Sequence, residues 1–300
     1  MAQEVEKSTS ESVMNDGYGS AEEVACALSI LHPEGNVFEI RVPKTLQGTR
    51  SGYFNDFKKG ANAADRLSGT AQAVYVLLNP VSPDLLCRSK NIMTLRPSCT
   101  TSDDEIVRRK WLLIDFDPVR PSGMSSTDEE HDYALEVSRS ARRLLKNEFG
   151  MIGIVRADSG NGAHLLLPID LPNDKESLGL CQRVLKACSH LFDDARIKVD
   201  QSTYNAARVT KMYGTRACKG SDTEERPHRL SSLIIVPELP GLVTVEQLKA
   251  LASIAPLSSE TTHQSTSGAN IGKLKDWLDH HKINIASESD WNNGKIYRLT

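Results

Sequence analysis

The order of apolar runs and capped helices over residues 111–200 constrains this chain more than any other feature. WLLIDFD (111–117) is strongly apolar without polar alternation, which implies a strand covered on both faces and central in its sheet. A helix is predicted next: Thr127 and Glu130 have capping-box spacing, apolar residues recur at Tyr133, Val137, Ala141, Leu144 and Leu145, and Gly150 ends it. MIGIVRA (151–157) and AHLLLPIDL (163–171) read as strands joined through DSGNG. Asn173 and Glu176 repeat the capping spacing for a helix reaching about Phe192, and RIKVD (196–200) is a short strand.

Strand, helix, strand, strand, helix, strand is the order of a split β-α-β unit, as in ferredoxin-like or RRM-like sheets, so the expected class is α+β. Upstream, a helix starts near Ala21, VFEIRV (37–42) and GYFNDF (52–57) read as strands, and KKGANAADRLSG is a short helix closed by Gly69. AVYVLLN (73–79) is another strand, stopped by Pro80. Downstream, ARVTKMYG (207–214) and LSSLIIV (230–236) read as strands, and a helix runs from near Thr244 to about Ser253.

Residues 1–20 lack an apolar core and read as a disordered tail, neither signal nor transit peptide. Residues 21–255 form the expected main domain, and 256–269, poor in apolar residues, read as a linker. In 270–300, IGKLKDWLDHH reads as a helix and GKIYRL as a strand at the very terminus. That abrupt end leads us to expect a longer chain continuing from here. Apolar content of 39% with 25% charged residues suits a soluble globular protein. No apolar run approaches the ~18 residues of a membrane span. Six cysteines without a CxxC pair, and no export signal, suggest reduced thiols and a cytoplasmic location. Cys181 and Cys188, seven apart in a predicted helix, share a core face more simply than a zinc site with His190, so no zinc is expected.

Four segments carry chemistry. Asp115 and Asp117, two apart at a strand's end, point to one face. Two carboxylates held together repel unless a cation or proton lies between them, and magnesium or manganese is the usual resolution; the plain alternative is a turn leaving the strand at Pro118. Asp200 ends the RIKVD strand and is a third acid for the same cleft, or simply a turn cap. In DSGNGAH (158–164), Gly160 and Gly162 let backbone N–H groups approach phosphate oxygens, Ser159 adds a hydroxyl, and His164 projects beside the turn; an ordinary β-turn is the alternative. With a net charge of −3, any basic surface must be local. Residues 205–229 supply one in Arg208, Lys211, Arg216, Lys219, Arg226 and Arg229, with Arg208, Thr210 and Met212 on one strand face and Lys211 on the other. A solvated loop is the alternative there.

Taken together, DFD (115–117), SGNGAH (159–164) and KVD (198–200) resemble the three motifs of the archaeo-eukaryotic primase superfamily, in the primase-polymerase branch of plasmid and phage replication proteins. YGTRACKG is similar to a GT…KG segment after the third motif of that branch. The resemblance covers roughly residues 25–255. It implies an RRM-like catalytic sheet with a smaller α/β N-terminal half, and a DNA primase or polymerase using NTP or dNTP with a DNA template and primer. On that resemblance Asp115, Asp117 and Asp200 would hold two divalent ions, Mg2+ or Mn2+. Ser159 and His164, with Gly160 and Gly162, would meet the nucleotide's triphosphate, and Arg208, Lys211 and Lys219 the nucleotide or template. Relatives often carry a helicase, expected here in cis or trans. Some relatives carry a cysteine-rich zinc module, and none is evident in this sequence. The rival class is a non-catalytic nucleic-acid-binding module that positions a helicase; a two-metal nuclease would leave the SGNGAH turn without a purpose.

Overall fold

The computed structural model describes residues 11–13, 20–238, 241–256, 285–291 and 294–299. The chain divides into two units, Met1–Pro256 and Leu257–Thr300. The expected linker at 256–269 and helix at 271–281 lie almost wholly outside the described residues.

In chain order the first unit runs β1 (Glu11–Val13), α1 (Ser20–Leu31), β2 (Phe38–Thr45), β3 (Gly48–Phe54), α2 (Phe57–Leu67), β4 (Tyr75–Leu77), β5 (Thr94–Leu95) and β6 (Arg109–Pro118). It continues α3 (Asp128–Phe149), β7 (Val155–Asp158), β8 (Ala163–Leu171), α4 (Lys175–Phe192), β9 (Ile197–Val199) and β10 (Val209–Lys211). It closes with β11 (Arg216–Ala217), β12 (Arg229–Leu230), β13 (Ser232–Pro237) and α5 (Val245–Ala252). The second unit contributes a hairpin of β14 (Ile285–Trp291) and β15 (Gly294–Leu299).

The fold is α+β with antiparallel sheets. One six-stranded sheet has the order β1-β13-β7-β8-β6-β9, and within it β7-β8-β6-β9 is the split β-α-β order expected from the sequence. A five-stranded sheet, β10-β4-β2-β3-β5, stands with α1 and α2 as the smaller N-terminal half. Strand β6 explains how the two halves join. Leu112, Ile114 and Phe116 point into a core with α3, α4 and α5. Leu113 points the other way, into a second core shared with α1, α2 and the five-stranded sheet. Both faces of β6 are covered, as its composition implied, but it lies second from the sheet's edge rather than at the centre.

Local departures from the expected elements have local causes. The GYFNDF strand stops at Phe54 because Asp56 accepts from the Lys59 N–H and caps α2. MIGIVRA contributes only its end to β7: Gly150 ends α3 in the left-handed region, and Gly153 is left-handed as well. Asp174, not Asn173, caps α4, accepting from Ser177 N–H at 2.8 Å. Asn173 instead donates to the carbonyls of Asp103 and Ile106. LSSLIIV breaks at Ser231, whose hydroxyl is drawn to the Met212 and Thr215 carbonyls. Cys181 and Cys188 are both buried in the core beneath α4, and burial pushes the Cys188 thiol up to about 12. No helix among the described residues is long and apolar enough to cross a membrane.

Candidate active site

Ladder register assembles the acids. Beyond Ile114, the side chains of β6 that face away from the helices are Asp115 and Asp117, while Phe116 between them stays in the helix-side core. Strand β9 pairs Val199 with Phe116, so the next residue, Asp200, comes level with Asp115 and donates its N–H to the Asp115 carbonyl at 2.9 Å. On the other flank, β8 sets His164 directly opposite Asp115. The sheet thus delivers three carboxylates and an imidazole to one place from segments 85 residues apart.

They line a cavity of about 360 Å³ between the two sheets. Asp115, Asp117, Asp200, Ser159, His164, Arg208, Lys211 and Lys219 all face it; of the residues singled out in the sequence, Gly160, Gly162, Arg216, Arg226 and Arg229 do not. Arg208 and Lys211 share the cavity although strand alternation put them on opposite faces, because β10 is only three residues long; Met212 goes into the core instead.

Each carboxylate already has a nitrogen partner, an imidazole for Asp115 and a guanidinium for each of the other two. Asp115 lies 3.3 Å from His164 Nε2, Asp117 3.4 Å from Arg120, and Asp200 2.9 Å from Arg208. The second Asp200 oxygen accepts from Ser202 N–H, so Asp200 is a turn cap as well as a cavity residue. Burial pushes the Asp115 carboxyl up, but His164, through its electrostatic and hydrogen-bond contact, and the charges of Arg208 and Lys219 outweigh it and hold the group below the usual range. Asp117 is pushed above that range, first by the negative charge of Asp115 and then by burial. The pair is therefore under-neutralised, and its oxygen-only donor set suits a hard divalent cation. Asp200 fits the same ion only if Arg208 gives way. Among the described residues, no three acidic, imidazole or thiol groups already converge as a ligand set.

Lys211 is buried, donates to the Arg216 carbonyl at 2.6 Å, and is pulled down to about 7 by burial, with Lys219 adding to that effect. Lys219 has no carboxylate partner among the described residues and adds positive potential at both Asp115 and Asp117.

The glycine turn works differently from the sequence expectation. Ser159 N–H donates to the Gly162 carbonyl, Gly160 N–H to the Asp158 carboxylate, and Gly162 N–H to Ser159 Oγ. Three of its N–H groups are thus spent inside the turn, leaving the Ser159 and Asn161 side chains to meet a ligand. Gly162 is required for close approach, since a Cβ there would overlap the Phe116 carbonyl oxygen of β6. Gly162→Ala should lower stability by about 1–3 kcal/mol through overpacking against β6, read as a shift in the urea midpoint at unchanged slope.

The basic stretch 205–229 is mostly scaffold. Arg226 pairs with Glu130 at 2.9 Å, and Arg229 pairs with Asp128 at 2.6 Å and donates to the Ser126 carbonyl. Both arginines pin this segment to the start of α3 instead of facing a ligand. Further cations lie outside this stretch. Arg41 on β2 lines the cavity, and Lys44, Arg50 and Arg96 at the hairpin edge of the five-stranded sheet have no carboxylate partner among the described residues. Sequence reading passed over Arg41, although Glu39-x-Arg41 on an alternating strand was a legible sign of a paired cation. Tyr75, Asn161 and Arg120 carried no such sign.

No family model matches the chain, and no curated protein matches it. Among solved structures it is similar to primase RepB′, with a TM-score of 0.43 and 10% identity over 88% of this chain and 67% of that one. It is also similar to the polymerase domain of ligase D from Mycobacterium tuberculosis in complex with DNA, with a TM-score of 0.38 and 17% identity over 79% of this chain and 88% of that one. Both likenesses are loose, and the function proposed below stands on this chain's own side chains.

Proposed function

We propose that the chain is a template-dependent nucleotidyltransferase of the primase and polymerase kind, adding NTP or dNTP to a primer 3′-hydroxyl or an initiating nucleotide in DNA replication. The supporting observation is one cavity that gathers an under-neutralised aspartate pair, a third aspartate and five groups able to donate to phosphate. Mg2+ or Mn2+ ions held by Asp115, Asp117 and Asp200 would neutralise phosphate charge and acidify the attacking hydroxyl. Ser159 and His164 bind the triphosphate as hydrogen-bond donors. Arg208, released from Asp200, and Lys219 neutralise the departing pyrophosphate. Lys211, buried beside them, gains its full charge when an anion binds nearby. Such chemistry is mostly positioning and charge compensation, which a rigid two-sheet frame supplies.

Primer extension and dinucleotide synthesis, each with Mg2+ and with Mn2+, test the proposal. Manganese binding followed by EPR gives a readout independent of turnover. Incorporation of neither NTP nor dNTP on any template, with DNA binding intact, would favour the rival reading of a non-catalytic module beside a helicase; the protein partner already held by each aspartate, Arg120, His164 or Arg208, is the observation on its side.

DNA contact is expected along the unpaired cations of the N-terminal sheet's edge. Lys44→Glu with Arg96→Glu should weaken oligonucleotide binding at least tenfold at moderate salt. It should also reduce the slope of log affinity against log salt by about 1.4, at ~0.7 per single-strand phosphate contact. Fluorescence anisotropy across a salt series measures both.

A further inference from the structure

His164 is held at both ring nitrogens, and its two partners differ in kind. Nε2 faces the Asp115 carboxylate at 3.3 Å, and an ionised carboxylate can only accept. Nδ1 lies 2.8 Å from the hydroxyl of Tyr213, a residue with no exposed surface. The two rings meet edge-on at a centroid distance of 5.9 Å. Thr210 Oγ1 stands 3.4 Å from both Nδ1 and the Tyr213 hydroxyl, completing a buried polar triangle.

A lone pair on Nε2 aimed at an ionised carboxylate would be repulsive, which favours a proton on Nε2, but at 3.3 Å this contact is too long to fix the tautomer alone. In a neutral imidazole Nδ1 is then the acceptor and needs a donor. The Tyr213 phenol is the best-placed group to be that donor, and burial favours its keeping the proton. We infer that Tyr213 is a positioning residue that fixes His164 as the Nε2–H tautomer, so that an N–H donor is held at the cavity wall beside Asp115. The structural part depends only on this geometry; its consequence for turnover rests on the proposed role of His164 at the triphosphate. Tyr213 touches neither metal nor nucleotide in this scheme, and acts through the ring it orients.

The test uses the full chain labelled with 15N-histidine, examined by long-range 1H–15N correlation at about pH 8.5, above the usual imidazole range. The wild type should show His164 protonated at Nε2 alone. In Tyr213→Phe, which keeps the ring and removes the donor, His164 should become a mixture of tautomers. The KM for nucleotide triphosphate should rise about tenfold with a smaller change in kcat, as loss of one oriented donor implies. The wild-type spectrum alone can overturn the inference: an Nδ1–H ring, or one protonated at both nitrogens, leaves Tyr213 without the assigned role. So does a Tyr213→Phe ring that stays Nε2–H. A lost tautomer preference with unchanged triphosphate affinity would uphold the positioning and count against the triphosphate role of His164.

Discussion

Asp117→Asn is expected to cut nucleotide incorporation by on the order of 10³-fold while leaving the protein at least as stable as the wild type. Asp117 is pushed above the ordinary carboxylate range chiefly by the charge of Asp115, so the folded state holds two carboxylates in mutual repulsion. Over the pH interval between the ordinary value of 3.8 and the raised one, the folded state binds more protons than the unfolded state. The contribution of Asp117 to stability is thus most favourable in acid and is lost as pH rises through the raised value. The variant should match the wild type below about pH 3.8 and gain on it at neutral pH. Melting temperatures across a pH series, beside primer extension, measure both effects. An aspartate that served only the fold would behave oppositely, losing stability together with activity.

The parts of this site that were legible in the sequence are those fixed by near neighbours. Asp115 and Asp117 share a face because they are two apart on a strand, and Thr127 with Glu130 marks the start of α3 because the cap bonds are local. What stayed hidden depended on contacts between distant segments. Arg226 looked like a free cation until the fold placed Glu130, 96 residues away, against it. The glycine turn suggested a phosphate cradle, but whether its N–H groups are free is decided by the Asp158 carboxylate and the Ser159 hydroxyl. Asn173 and Asp174 are both competent caps; the carbonyls of Asp103 and Ile106 claim Asn173 and leave the cap to its neighbour. Strand order already suggested that Asp200 shares the cleft of Asp115; what stayed hidden was the ladder register that sets the two level, with the Asp200 N–H on the Asp115 carbonyl.

Glu39 should prove among the most sensitive single positions for stability, with Glu39→Ala costing roughly 3 kcal/mol, at the lower end for a broken buried ion pair. Its side chain is 0% exposed and receives Arg41 at both oxygens, at 2.9 and 2.7 Å. The Ser51 hydroxyl and the Thr101 N–H also donate to it, at 2.6 and 3.1 Å. Burial alone would raise the Glu39 carboxyl, but the bonds and charge of Arg41, with Ser51 and Thr101, hold it below the usual 4.5. Its contribution is therefore fully present above about pH 4.5 and lost as pH falls through the lowered value. Glu39→Gln should remove that step from the acid side of the stability profile. Because the cost lies mainly in stranding a buried charge, Glu39→Met with Arg41→Met should be less destabilised than the sum of the two single changes, by urea titration of all four proteins. The same pair ties the N-terminal sheet to the cavity. Arg41 reaches the cavity wall from a strand that carries none of the aspartates, and Glu39 fixes its guanidinium there. Glu39→Gln should then raise the KM for nucleotide more than it lowers kcat, since the cation is loosened and the aspartates are untouched. Additive Met variants with an unchanged KM would leave Glu39 and Arg41 as a pair that merely borders the cavity.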